Sequence, residues 1–268
     1  MTSINPLLAL WRAGKPSLGG WLTTADPQIA EYLASGGFDE ICVDQQHGLA
    51  DSSNLASVFR ALEVHGVAAT TRVPANDFAA IGFALDIGAV AIVVPMVGSA
   101  EEAAAAAEAC HFPPRGRRSV GPLRGALTRA SDRLEALDEA ACVVMIETPE
   151  GVRNVDAIAA TPGVDAIYIG PGDLALGLGL SAWPSDWTAD EAKLHADTVE
   201  RIRLACVEHG VAPGMHTGDG ATARRYLEQG FQMVTVTNEL GLITVGAKEQ
   251  IAIARGETAS APVEVAAV

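Results

Sequence analysis

The sequence predicts a single (β/α)8 barrel over residues 1–268, with a doubly wound open sheet as the alternative. A glycine repeatedly separates a helical segment from a short apolar run, as expected where a helix ends in a left-handed residue. These glycines are Gly37, Gly66, Gly88, Gly163, Gly210 and Gly230. The runs are mostly apolar rather than alternating, which favours strands that are covered on both faces.

Eight strands are predicted, six of them directly after these glycines. In chain order they are Leu18–Leu22, Glu40–Val43, Ala68–Arg72, Val90–Val94, Cys142–Ile146, Ala166–Ile169, Ala212–Met215 and Met233–Val236. A chain of 268 residues is long enough for all eight to close into one barrel without disulfides.

Helices are predicted in the segments between the strands. Asp26-Pro27 supplies a cap and a first-turn proline, and Ser99 with Glu102 forms a capping-box pattern before a helix that reaches Cys110. The predicted helices are Gln28–Ala34, Asn54–His65, Asp77–Ile87, the segment from Ser99 to Cys110, Val152–Ala160, Pro171–Leu176, Asp190–His209, Asp219–Gln229 and Glu239–Ala254. The tail from about Glu257 is expected to be mobile or to pack on a neighbouring subunit.

The composition argues against several classes of function. With 33 acidic and 18 basic residues the formal charge is −15, which disfavours binding to nucleic acids and to anionic membranes. Small molecules, metal ions and copies of the same chain are the expected partners. The four cysteines lack the spacing of zinc or redox motifs and are expected to be buried free thiols. Without a secretory signal or a membrane-length apolar run, a cytoplasmic protein is expected.

Charged residues follow the predicted strands at their carboxyl ends, where barrels carry their active sites. Asp44 and His47 follow the second strand, Arg72 ends the third and Glu147 follows the fifth. Asp173 follows the sixth strand, and His216 lies near the end of the seventh. We therefore expect one site at this rim.

The residue types at the rim favour metal-assisted chemistry. Glu147 and Asp173 are hard oxygen ligands suited to Mg²⁺ or Mn²⁺, whereas Zn²⁺ would need His216 or His47 as well. An acid/base pair of the glycosidase type stays open, although only 5% of residues are aromatic. Arg72 offers a fork for a substrate carboxylate. The three lysines lie off the strand ends, which excludes a Schiff-base aldolase.

His47 is the expected general base, because an imidazole exchanges protons near neutral pH. An acid such as Asp44 or Asp86 is expected to orient it.

Several blocks between Gly20 and Val245 resemble the HpcH/HpaI aldolase family, the class II pyruvate aldolases. They are Gly20-Trp21-Leu22, Ala25-Asp26-Pro27, Val43-Asp44-Gln45-Gln46-His47-Gly48, Arg72-Val73-Pro74, Val94-Pro95-Met96-Val97, His111-Phe112-Pro113-Pro114-Arg115-Gly116-Arg117-Arg118-Ser119, Ile146-Glu147-Thr148 and Tyr168-Ile169-Gly170-Pro171-Gly172-Asp173-Leu174.

The resemblance implies a role for each residue of the site. It implies that Glu147 and Asp173 hold a divalent ion (Mg²⁺, Mn²⁺ or Co²⁺), and that Arg72 and the backbone amide of Gly172 bind a 2-oxo acid.

The resemblance also implies that two aromatic residues, Trp21 and Tyr168, lie in the pocket wall. It implies that His47 is the catalytic histidine, with Asp44 and Asp86 in its hydrogen-bond network.

In the family one of the acids can come from a neighbouring subunit, and members are commonly hexamers, trimers of dimers that exchange the last helix, here about 239–254. Gln46 departs from the pattern, because the family often carries Glu beside the histidine. The Arg115–Arg118 cluster is expected either to fold over the mouth of the barrel or to be paired with acids.

The function implied is a metal-dependent aldolase that cleaves 4-hydroxy-2-oxo acids, reversibly and through an enolate, into an aldehyde and pyruvate or hydroxypyruvate. A citryl-CoA or malyl-CoA lyase would share the fold but needs a basic CoA groove. A non-catalytic protein that binds 2-oxo acids is the second alternative.

Overall fold

Eight parallel strands form a closed barrel in the computed structural model, which describes residues 5–128 and 133–257. The strands β1–β8 are Ser17–Leu22, Glu40–Asp44, Ala68–Arg72, Ala91–Val94, Ala141–Ile146, Ala166–Ile169, Ala212–His216 and Met233–Asn238. Each strand pairs with its neighbours in chain order, and β8 pairs with β1, with a shift of register between Gly19 and Gly20. The predicted (β/α)8 barrel is confirmed, and the alternative prediction of a doubly wound open sheet is wrong.

Helices connect the strands around the outside of the barrel. Helices α1–α13 are Pro6–Arg12, Pro27–Ala34, Leu55–Val64, Phe78–Asp86, Ala100–Cys110, Gly125–Thr128, Leu134–Leu137, Pro149–Arg153, Val155–Ala159, Pro171–Gly177, Ala189–His209, Gly220–Glu228 and Glu239–Arg255, with a 3-10 turn at Pro184–Asp186. The six glycines singled out in the sequence all have positive φ. Gly210, for example, caps α11 at φ 71° and donates its N–H to Cys206 and Val207.

One predicted helix is interrupted. The segment predicted to be helical over Val152–Ala160 begins earlier, at Pro149, a residue that favours the first helical position. The Thr148 hydroxyl caps this helix by accepting a hydrogen bond from the Gly151 N–H. The segment is then divided at Asn154, whose side-chain amide donates to the Gly98 carbonyl at 2.7 Å.

The buried side chains form two layers. An outer layer lies between the strands and the helices, and an inner layer fills the barrel with residues such as Trp21, Val143 and Tyr168. The amino-terminal helix α1 closes one end of the inner layer with Leu7, Leu8 and Trp11. The sequence-based prediction missed α1, although the Asn5-Pro6 pair is a cap followed by a first-turn proline.

Three further predictions concern the cysteines, membrane-spanning segments and the carboxyl-terminal tail. All four cysteines are buried and free, as predicted. Among the described residues, no helix combines the length and the apolar character needed to span a membrane. Beyond Glu257 the predicted tail lies outside the described residues.

Candidate active site

An aspartate–arginine ion pair lies at the base of the barrel mouth. Asp44 ends β2 and Arg72 ends β3, and the two residues are paired across these strands. Arg72 Nε donates to Asp44 Oδ1 at 2.9 Å and Nη2 donates to Oδ2 at 2.5 Å, and the side chains are 3% and 0% exposed. Burial raises the pKa of Asp44, but hydrogen bonds from Arg72 and its charge bring the net pKa below the ordinary value. The pair therefore stays ionised at neutral pH.

Asp44 holds three further groups in place. It accepts hydrogen bonds from Trp21 Nε1 at 3.3 Å, from the Gln46 N–H at 3.0 Å and from the His47 N–H at 3.3 Å. The Arg72 guanidinium also lies over the Trp21 ring, 5.0 Å from its centroid. One buried carboxylate therefore fixes the arginine, the indole and the turn that carries His47.

His47 is exposed in that turn. Asp44 accepts a hydrogen bond from the backbone N–H of His47. The structure shows no hydrogen bond between Asp44 and the imidazole, because the carboxylate oxygens already bind Arg72, Trp21 and two amides. His47 is also outside the set of residues that line the cavity in the barrel mouth. Its imidazole belongs to the rim of the site.

Asp86 lies at the opposite end of the barrel. It is the last residue of α4, the helix that runs back from the rim after β3, and its carboxylate accepts a hydrogen bond from Arg118 at 2.8 Å. Within one chain the structure does not bring Asp86 to His47. A role for Asp86 beside a catalytic histidine requires a neighbouring subunit and stays a prediction.

The Arg115–Arg118 cluster lies at the same distant end, because it follows α5. Arg115 pairs with Asp138 at 3.0 Å, and Arg117 pairs with Glu108 at 2.7 Å. The expectation of an acid-paired loop is confirmed, and within one chain the loop does not fold over the mouth.

Glu147 follows β5 and is 2% exposed. Its Oε1 accepts the Met96 N–H at 2.8 Å, and Met96 adopts a left-handed conformation with φ 59°. Its Oε2 is buried and has no hydrogen-bond partner among the described residues. Burial raises the pKa of Glu147 to about 7; the Met96 N–H opposes the rise, Asp173 adds to it and Arg72 opposes it.

Gly170 leaves room for Glu147, because a Cβ at this position would collide with Oε2 and displace the carboxylate. The sequence-based prediction missed this contact and the Met96 N–H. The positive φ of Met96 cannot be predicted from sequence. Gly170, directly before Pro171, could have indicated that the backbone passes close to another group.

Asp173 completes a pair of carboxylates. It lies in the first turn of α10, is exposed, and shares a cavity with Glu147. In the described parts of the chain, no group of three or more His, Cys, Asp or Glu side chains comes together as a metal cluster. A buried carboxylate oxygen without a partner beside a second carboxylate fits a hard divalent cation that takes its other ligands from water or substrate.

His216 ends β7 in the wall of the same cavity. Its ring meets Trp21 edge-on, with 4.8 Å between centroids, and its Nδ1 lies 3.1 Å from the Tyr168 hydroxyl. That hydroxyl also lies 2.5 Å from Thr235 Oγ1. Burial lowers the pKa of His216 to about 4; the charge of Arg72 lowers it further and that of Asp44 raises it. The imidazole is therefore neutral at pH 7.

The cavity brings together six of the predicted residues. These are Trp21, Arg72, Glu147, Gly172, Asp173 and His216, and Met145, Gly170 and Pro171 complete the lining. Asp44 lies beneath Arg72. Tyr168, expected in the wall, is instead fully buried behind His216.

Asp44→Ala should lower the free energy of unfolding by about 3–5 kcal/mol, because it leaves the Arg72 guanidinium buried without a counter-charge. Asp156→Ala is a matched control, since Asp156 pairs with Arg201 at 3.7 Å but is 63% exposed; it should cost about 0–1 kcal/mol. Urea denaturation followed by circular dichroism measures both. Equal effects in the two variants would show that the buried pair does not stabilise the fold.

Comparisons with known proteins match most of the chain. The model of the HpcH/HpaI aldolase/citrate lyase family matches residues 17–244. A hydroxypyruvate/pyruvate aldolase from Rhizorhabdus wittichii is 36% identical over 253 residues, covering 94% of this chain and 99% of the relative. A 4-hydroxy-2-oxo-heptane-1,7-dioate aldolase from Salmonella paratyphi B is 35% identical over 244 residues, covering 88% of this chain and 89% of the relative.

A solved structure of an HpcH/HpaI aldolase/citrate lyase family protein from Burkholderia cenocepacia J2315 superposes with a TM-score of 0.85. It is 33% identical, and the match covers 94% of this chain and 99% of the other. The extent of these matches shows that the chain belongs to the HpcH/HpaI aldolase/citrate lyase family.

Proposed function

We propose that this protein is a divalent-metal-dependent aldolase that reversibly cleaves 4-hydroxy-2-oxo acids into an aldehyde and pyruvate or hydroxypyruvate. The observation that carries the proposal is the single cavity that Glu147, Asp173 and Arg72 line together. The names of the relatives from R. wittichii and S. paratyphi B support the same reaction class.

Glu147 and Asp173 would hold the ion, which we take to be Mg²⁺, Mn²⁺ or Co²⁺. When bound there, the ion supplies Lewis-acid stabilisation of negative charge on the 2-oxo oxygen. Glu147 suits this role because its Oε1 is already fixed by the Met96 N–H while Oε2 is buried without a partner among the described residues.

Arg72 binds the 2-oxo acid and balances the charge that develops on it. Two of its five N–H groups donate to Asp44, so the others remain for substrate oxygens. Because Asp44 fixes the guanidinium before substrate arrives, little reorganisation is needed during the reaction. The amide of Gly172, in the first turn of α10, contributes a second donor to the substrate carboxylate.

His47 moves the proton. From the rim it transfers a proton, directly or through a water, between solvent and the substrate's C3 carbon or 4-hydroxyl. The adjacent Gln46 adds no charge to the histidine. An acid from a neighbouring subunit, with Asp86 as the candidate, would complete its hydrogen-bond network.

We propose that the subunits form a homohexamer that exchanges α13. Only Glu239 and Gly241 of this helix are buried in the chain. Its exposed apolar residues are Leu240, Leu242, Ile243, Val245, Ile251 and Ile253. Burial of this surface on a second copy would remove it from water. A cytoplasmic location remains the expectation for this protein.

His47→Ala and Glu147→Gln should each lower turnover by about 100-fold or more while the fold survives, because one removes the proton acceptor and the other a ligand charge. The assay is pyruvate release from 4-hydroxy-2-oxo acids with Mg²⁺ or Mn²⁺. His209→Ala and Glu150→Gln are matched controls at exposed positions and should keep wild-type rates. Near-wild-type turnover in either site variant refutes its assigned role.

The affinity for Mn²⁺ should rise between pH 6 and pH 8. The Glu147 pKa of about 7 in the ion-free site means that a proton competes with the ion below this pH. Affinity should therefore fall by up to about tenfold per pH unit on the acid side and level off on the alkaline side. Isothermal titration calorimetry measures it. The Glu147→Gln variant should bind weakly at every pH; a wild-type affinity independent of pH contradicts the assignment.

A further inference from the structure

His216 carries a polar atom that the proposed mechanism does not use. Its Nδ1 is occupied by the Tyr168 hydroxyl, and the side chain is 6% exposed in the cavity wall. Its Nε2 has no hydrogen-bond partner among the residues that the structure describes. The cavity is therefore where this nitrogen can find one.

The hydrogen-bond chain behind His216 selects one tautomer. If Tyr168 donates to Nδ1, Thr235 can donate to the Tyr168 oxygen, and both hydroxyl protons are used. In the reverse direction Nδ1–H donates to Tyr168 and Tyr168 donates to Thr235. The Thr235 proton then has no acceptor among the described residues, at a site where Thr235 is 3% exposed. Since unpaired buried donors are costly, Nδ1 accepts and Nε2 carries the hydrogen.

His216 is thus a neutral donor in the cavity wall. Burial holds its pKa at about 4, so it carries no charge at pH 7. Its ring contacts the ring of Trp21, Met145 and Arg72 line the same cavity, and the ring of Tyr168 lies behind it. A methyl group of a ligand against this wall would leave Nε2–H unpaired, whereas a hydroxyl would accept from it.

We propose that His216 is a specificity-determining residue whose Nε2–H donates to the C3 hydroxyl of a 3-hydroxy-2-oxo acid, so that the site favours hydroxypyruvate over pyruvate. The inference rests on the proposed function, because that function places the 2-oxo acid in this cavity. The amino acid at position 216 then decides between two donor substrates that differ by one hydroxyl.

Binding measurements test the proposal without requiring turnover. Isothermal titration calorimetry with Mg²⁺ gives the Kd of hydroxypyruvate and of pyruvate for the wild type, His216→Leu and His216→Gln. Wild type should bind hydroxypyruvate more tightly. His216→Leu should lose about three- to tenfold of that preference with pyruvate binding little changed, which is the scale of one neutral hydrogen bond. His216→Gln keeps an N–H donor and should recover part of it.

The tautomer has its own signature. Nitrogen-15 NMR of the histidine side chains should show His216 with hydrogen on Nε2. Tyr168→Phe removes the donor to Nδ1 and should mix the two tautomers and weaken the preference for hydroxypyruvate. Hydrogen on Nδ1 in the wild type would overturn the proposal.

The remaining outcomes separate this inference from the proposed function. An unchanged Kd ratio in His216→Leu, or an equal loss for both acids, overturns the inference and leaves the aldolase standing if pyruvate release persists. The expected Kd ratios without pyruvate release support the inference and contradict the aldolase. A wild type that binds neither acid overturns both.

Discussion

The buried pair of Asp44 and Arg72 is the constraint on which the site depends. A lone guanidinium in the interior of a barrel would be strongly destabilising, and Asp44 offsets that cost while keeping the cation at the base of the cavity. The same carboxylate binds the Trp21 indole and the backbone that leads to His47. The sequence places these groups on three segments, and one side chain joins them.

Around this pair, the environment gives each ionisable group a different state. Asp44 stays ionised beside Arg72, Glu147 has its pKa raised to about 7 by burial, and His216 has its pKa lowered to about 4 by burial and by the arginine. The cavity thus combines a permanent cation, a carboxylate whose pKa lies near neutral pH, and a neutral imidazole. In the proposed function these groups would bind a metal ion and a 2-oxo acid.

Local pattern was sufficient to predict six of the eight strands, because an apolar run after a helix-ending glycine is a short-range signal. It also predicted the rim residues Arg72, Glu147 and Asp173, since strand ends follow from strand positions. The role of Asp86 beside His47 stays a prediction, because the end of the helix that returns from the rim places Asp86 at the far end of the barrel in the same chain. The hydrogen bonds from His216 to Tyr168 and from Tyr168 to Thr235 join three strands, and no local sequence pattern encodes such contacts.

The most direct measurement is exchange of the methyl protons of pyruvate for deuterium in D₂O, followed by NMR with Mg²⁺ or Mn²⁺ and then with EDTA. It reports enolate formation and needs no choice of aldehyde. We expect exchange that depends on the metal and stops with EDTA. Absence of exchange with pyruvate and with hydroxypyruvate would contradict this expectation and favour a CoA-thioester lyase or a protein that only binds 2-oxo acids.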